Sequence, residues 1–394
     1  MKIRTVHPFP ARMAPEIALR SLEGLRRGSL VLDPMVGSGT VVRHALALGH
    51  RAIGFDMDPL AVLMSRVWTS PIDADAVEAE LEDLIEEAHA IDLRSARLDW
   101  HDTETTEFIH YWFAPKQRRV LTRLAVVLAR LRAARLGDVR RVAVDVLHVA
   151  LSRIIVTKEQ CASLARDTSH SRPHRVANDN DYDVLVGLRR STAALLDRLQ
   201  EHKLRRRAQI VLGDARQLTL DDHSVDYILT SPPYLNQIDY MRGHRLSLVW
   251  FGHSLSELRS IRGTTIGTER AGDDELEADV ARIARAMCQT EDLSTRHQSL
   301  VQRYAIDLQR LLAESARVLN PRGRAVFVVG NSCLKDQFIH NANGVAQAAR
   351  LAGMRVVTRK ERELPLASRY LPLTTDGTLS KRMRTETVLT FAAA

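Results

Sequence analysis

Ser29-Leu30-Val31-Leu32-Asp33-Pro34-Met35-Val36-Gly37-Ser38-Gly39-Thr40 decides the fold of this 394-residue chain. Leu30 to Leu32 is a short apolar run closed by Asp33 and Pro34, the pattern of a buried parallel strand. Gly37 and Gly39 then let the backbone turn tightly and approach a ligand closely. A helical stretch follows from Val41 to Leu48, with Gly49 as its C-cap. Arg51 to Asp56 reads as a second strand, and Asp58-Pro59 opens another helix. Strand, glycine turn, helix, strand, helix is the start of a doubly wound α/β sheet.

Outward from there the alternation breaks off and then resumes. Asp73 to Asp92, Pro115 to Leu136, Val139 to Val156 and Tyr182 to Arg207 carry apolar residues at helical spacing. They make residues 71–206 a helical insertion, a candidate for DNA recognition or dimerisation, between sheet segments at 1–70 and 207–394. Ala208 to Leu212 and Ser224 to Leu229 read as strands. Arg324 to Val329, 354–360 and 385–391 would complete seven. Residues 235–300 are polar and helical, a candidate target-recognition segment.

The composition is that of an ordinary globular protein, 45% apolar and 26% charged. No run approaches the ~18 apolar residues of a membrane span, and the N-terminus lacks the apolar core of a secretory signal. Three scattered cysteines fit a reducing cytoplasm. The net charge is +8, and of 56 basic residues seven are Lys and 49 Arg. The Arg fork suits phosphate, so nucleic acid is one reading. Codon usage in a GC-rich genome is the other.

Three acids follow strands. Asp56 closes the second strand, where it can accept hydrogen bonds from ribose hydroxyls. Asp58 is better placed to cap the next helix. Asp214 ends the third strand and could accept from an adenine amino group. Met57 and Ala215 stand beside them. The glycine turn lacks the Lys of a phosphate-binding loop, and Val42 stands where a dinucleotide fingerprint needs Gly. What remains is a nucleoside cleft, or else a purely structural turn.

Thr230-Ser231-Pro232-Pro233-Tyr234 is the sharpest signal. Consecutive prolines stop the ladder and fix the turn, and their carbonyls stay available as acceptors. Ser231 and the Pro232 carbonyl could each accept a hydrogen from an exocyclic base amine. Pro233 would fix the turn and Tyr234 would stack on the base. A rigid turn around a buried Tyr is the plain structural alternative.

These residues resemble the amino-group DNA methyltransferases, which move a methyl group from S-adenosylmethionine (AdoMet) to cytosine N4 or adenine N6. Asp33, Pro34, Gly37, Ser38, Gly39 and Thr40 match their AdoMet-binding motif. Ser231 to Tyr234 match their catalytic motif in the Ser form, which the family associates mainly with cytosine N4. His7-Pro8-Phe9-Pro10-Ala11-Arg12 is similar to the segment holding the methionine end of AdoMet, through Pro8 and Arg12. The matching blocks cover about half the chain, with the AdoMet motif ahead of the catalytic one. The resemblance implies a class I AdoMet-dependent fold, seven mostly parallel strands with helices on both faces. It implies AdoMet as cofactor, no metal, and a flipped-out base of double-stranded DNA as substrate.

Cytosine C5 chemistry is excluded on the same comparison. It needs a Cys nucleophile, usually after Pro, and Cys161, Cys288 and Cys333 follow Gln160, Met287 and Ser332. Adenine N6 methylation, an RNA base methyltransferase and a non-catalytic DNA-binding relative are the alternatives. Asn236, Arg242, His244 and Arg245, just past the catalytic turn, are candidate DNA contacts. So are Arg172 and Arg175 in the polar stretch after the insertion's third helix. Arg205 to Arg207 read as an exposed helix end, and Leu366–Tyr370 and Lys381–Arg384 are further candidates. A bacterial or archaeal cytoplasm, a homodimer and a cognate restriction endonuclease complete the expectations.

Overall fold

The computed structural model describes residues 4–7, 13–166, 173–235, 239–267, 278–288, 293–334, 337–363 and 385–393. Seven strands form one sheet: β1 (Leu30–Asp33), β2 (Arg51–Asp56), β3 (Gln209–Leu212), β4 (Val225–Thr230), β5 (Leu319–Gly330), β6 (Met354–Glu363) and β7 (Thr385–Ala393). Their order is β6-β7-β5-β4-β1-β2-β3. All neighbours are parallel except β7, which runs antiparallel to both β5 and β6. This is the seven-stranded, mostly parallel sheet that the motif resemblance implies. From β1 the chain winds outward through β2 to β3, then returns to β4 on the other side of β1. The C-terminal ends of β1 and β4 therefore lie side by side at the topological switch point, where open α/β sheets bind ligands.

Strand alternation covers both faces. Leu32, Phe55, Ile228 and Phe327 face one side and pack with α12 (Thr295–Val318) and α13 (Asn341–Leu351). Their neighbours Val31, Tyr227, Leu229 and Val326 face the other. There they meet Ile17 and Leu22 of α1 (Pro15–Leu22) and Val41 and Val42 of α2 (Thr40–Ala47). Each such side chain, fully buried, contributes about 1.5–3 kcal/mol.

Between β2 and β3 stand α3 (Pro59–Trp68), α4 (Ala74–Ala90), α5 (Thr103–Trp112), α6 (Pro115–Ala133), α7 (Asp138–Ile155) and α8 (Val184–Gln200). They share one core with α9 (Met241–Leu248), through Met64, Leu84, Leu124, Leu147, Leu188 and Leu246. The seven consecutive residues from Val146 to Ser152 are all buried, so α7 is covered almost all round, the mark of a central helix. The expected helix to Arg207 stops at Gln200, and Arg205 to Arg207 are exposed. Residues 320–323, ahead of the strand expected from Arg324, lie within β5. They bulge there, and the register against β4 jumps from Val225–Leu319 to Tyr227–Arg324. Pro321 has no N–H to give the ladder.

Candidate active site at the switch point

The glycine turn is built by backbone demands. Val36 N–H donates to the Phe55 carbonyl (2.8 Å), tying the turn to β2. Gly39 caps α2 with φ +92°, a conformation that favours glycine. A Cβ there would stand 3.2 Å from Cα of Ser65 on α3. Ser65 Oγ in turn donates to the Gly37 carbonyl (2.7 Å). Ser38 and Thr40 are buried. The turn is thus held on both sides, and Gly39 is demanded there by its positive φ and by the close approach of α3.

Asp33 joins the two motifs. Its Oδ1 accepts from Met35 N–H (3.2 Å) and from Thr230 Oγ (2.7 Å), across the switch point. Burial pushes its carboxyl up to about 7, against the pull of those two donors. The sequence gives Asp33 no role beyond its place in the motif; here it is the clamp between β1 and β4.

Asp56 lies at the end of β2. Its Oδ2 accepts from Gly37 N–H (2.8 Å) and its Oδ1 from Asp58 N–H (2.9 Å). Burial and then the neighbouring Asp58 charge raise its carboxyl to about 6. Asp58 caps α3 through Leu60 N–H (2.9 Å), the role its position suggests. Its other oxygen lies 2.5 Å from His244 Nδ1. Burial works against the Asp58 charge, but His244 outweighs it and holds the carboxyl below its ordinary range.

Asp214 differs from expectation. Both of its oxygens are taken by Arg216, at 2.7 to 3.1 Å, and Oδ1 also accepts Arg216 N–H (2.9 Å). Three hydrogens of Arg216 thus occupy most of the carboxylate's acceptor sites, and Asp214 stays about a third exposed. Arg216 also reaches the fully buried Asp307 of α12 (2.5 Å), the Thr264 carbonyl (2.6 Å) and Met57 Sδ (3.8 Å). Sequence reading missed this network. A lone Asp on the buried face of an amphipathic helix, Asp307, was the signal available. Ala215 is buried between these groups.

The catalytic turn is equally braced. Ser231 Oγ donates to the Val328 carbonyl (3.0 Å), which leaves the oxygen as an acceptor toward the cleft. The Pro233 carbonyl accepts from Tyr304 OH (2.8 Å), so it is spent on structure. Tyr234 is 8% exposed and lies over Gly330, where a Cβ would come within 2.5 Å of the ring. The ring is therefore packed closely against β5. Stacking a base on it needs its cover to shift.

The candidate DNA contacts separate. His244 is corrected: it is buried, turned toward Asp58 and away from solvent. Arg245 is corrected likewise, because its guanidinium lies 5.0 Å over the Phe108 ring and is largely desolvated. Arg242 is half-buried, beside Asp239 (3.6 Å). Arg175 stacks on exposed Tyr111 at 4.9 Å. Pro8, Arg12, Arg172 and Asn236 lie outside the described residues, as do residues 366–370 and 381–384.

No family model matches the chain. Two curated proteins do. Type II methyltransferase M.MvaI of Kocuria varians is 21% identical, over 84% of this chain and 77% of its own. Type II methyltransferase M.MjaII of Methanocaldococcus jannaschii is 21% identical, over 61% of each. The chain is similar in sequence to these two type II methyltransferases, in agreement with the resemblance drawn from the motifs. The chain spans less than two thirds of the length of M.MjaII.

Similar solved structures include a TehB-like SAM-dependent methyltransferase from Corynebacterium glutamicum. It is 9% identical, with a TM-score of 0.30, over 96% of this chain and 87% of that one. Another is TTHA0409 from Thermus thermophilus, a putative DNA modification methylase complexed with S-adenosyl-L-methionine. It is 16% identical, with a TM-score of 0.24, over 46% and 53%.

Proposed function

We propose that this protein is an AdoMet-dependent DNA methyltransferase acting on an exocyclic base amine, cytosine N4. The observation that carries the reading is the Thr230–Asp33 hydrogen bond, which joins the glycine turn and a Ser-Pro-Pro-Tyr turn at one switch point. The relationship to type II methyltransferases supports it from outside the structure.

The turn fits a nucleoside cofactor: it lies at the C-terminal end of β1, and Asp56 beside it has lone pairs beyond those given to Gly37 and Asp58. Gly37 to Thr40 would hold AdoMet, with Asp56 at its ribose, Met57 and Ala215 at its adenine, and Pro8 and Arg12 at its methionine end. When bound, AdoMet supplies an electrophilic methyl group. Ser231 Oγ and the Pro232 carbonyl each accept one amine hydrogen, turning the nitrogen lone pair out of conjugation with the base. Positioning of this kind accounts for most of the rate, since direct attack needs no covalent intermediate on the protein. Flipping the base out of the duplex costs a few kcal/mol.

Residues 1–70 and 207–394 form the methyltransferase domain in this reading, with 71–206 inserted and 235–300 reading the target. Arg242 and Arg175 would meet phosphate. Replacing Ser231 by Ala and Tyr234 by Ala, singly, tests the assignment. Loss of methyl transfer with duplex binding retained is the expected result. Unchanged transfer in both variants would overturn it.

A further inference from the structure

His244 and Asp58 make a buried pair that belongs to neither motif. Asp58 sits at the N-cap of α3, and His244 lies on α9, the first helix after the catalytic turn. Their side chains are 11% and 7% exposed. A continuous chain of hydrogen bonds runs from this pair into the cleft. His244 Nδ1 meets Asp58 Oδ2, Asp58 N–H donates to Asp56 Oδ1, and Asp56 Oδ2 accepts from Gly37 N–H.

The charges make this arrangement consequential. Asp33, Asp56 and Asp58 crowd one end of the sheet, and like charges in a desolvated site oppose one another. Arg216 is near through Met57, but its guanidinium is spent on Asp214 and Asp307. From α7 the neighbour of α9 is neutral, Ser152 against Ser247, with His7 behind it (3.1 Å). His244, with Nδ1 2.5 Å from Oδ2, is the side chain that directly faces Asp58.

We propose that His244 and Asp58 are positioning residues that keep Asp56 ionised and oriented toward the cofactor ribose, coupling the cofactor cleft to the helix that follows the catalytic turn. The inference rests on the assignment of Asp56 to AdoMet binding. Without His244 the Asp58 charge bears on Asp56 uncompensated, and Asp56 takes up a proton more readily. Without the Asp58 charge the repulsion disappears. The two losses act on Asp56 in opposite directions, which simple damage to the fold does not do.

The test is AdoMet binding to the full chain by calorimetry, from about pH 5 to 8.5, in wild type, His244→Gln, Asp58→Asn and the double variant. Asn is a good N-cap, so Asp58→Asn keeps α3 capped. In His244→Gln the pH at which affinity is half lost should rise by about one unit. That weakens binding about tenfold at any pH below both midpoints. In Asp58→Asn the midpoint should fall, giving tighter binding than wild type in acid, and the double variant should lie between the two single variants. Midpoints that stay at the wild-type value, or that move the same way in both single variants, would overturn the pair's role. A wild-type chain that binds no AdoMet at any pH would instead remove the cofactor reading, and this inference with it.

Discussion

Ser231 and Asp33 show how much single side chains decide. With its hydrogen committed to Val328, Ser231 Oγ can only accept toward the cleft. Ser231→Ala should lower the single-turnover methyl-transfer rate by ~100-fold, on the scale of losing one well-placed polar group in an active site. AdoMet affinity should stay within a few-fold of wild type. Asp33 makes a different prediction. Its folded carboxyl is raised to about 7, so folding favours the protonated form. That stabilisation is complete below the unfolded value and is lost as pH rises through the folded one. Asp33→Asn keeps an oxygen acceptor for Thr230 and Met35 but carries no charge. The variant should gain stability over wild type at about pH 8, by ~1–3 kcal/mol, and show little gain near pH 4. Denaturant unfolding at the two pH values reads this directly, and an equal effect at both would contradict it.

Among the elements, those that announce themselves are the ones with local signals. β1 and β2 have apolar runs, α3 has Asp58-Pro59, and the cleft has two glycines and two prolines; all were readable. The corrections came where a partner far along the chain decides the outcome. His244 reads as a basic residue near the active site until Asp58, 186 positions away, claims it. Arg216, which holds Asp214, is itself held by Asp307, 91 positions away. Helix α9 was illegible as a contributor to the insertion's core, because its periodicity does not say against what it packs. The Arg216 network gives this scale its prediction. Asp307→Leu leaves Arg216 with one carboxylate instead of two and frees Gly267 N–H. Breaking a buried pair this way costs about 3–5 kcal/mol, and thermal unfolding should show it. Loss of under about 1 kcal/mol would mean the charges are solvated.

Across the whole molecule, the insertion does more than lengthen the chain. Arg153 of α7 donates to the Val6 carbonyl, and Arg198 of α8 to the Thr5 carbonyl (3.1 Å). His7 meets Ser152 (3.1 Å). The helical block therefore holds the residues that lead into the 8–12 segment, at the far end of the sequence from the catalytic turn. Arg153→Met should weaken AdoMet binding about tenfold, the worth of one charged hydrogen bond. Transfer at saturating AdoMet should survive. No helix among the described residues is long and apolar enough to cross a membrane. The +8 charge makes duplex binding salt-sensitive. Arg242→Ala should flatten the salt slope by about one.

All of this stands on one claim, that the cleft at the switch point methylates a base amine. The most direct measurement is mass spectrometry of nucleosides from unmethylated duplex DNA incubated with the full chain and methyl-labelled AdoMet. The account predicts label in N4-methylcytosine, abolished in Ser231→Ala. Label in N6-methyladenine would contradict the assignment of the base. No label in DNA, from protein that binds AdoMet, would contradict the claim itself.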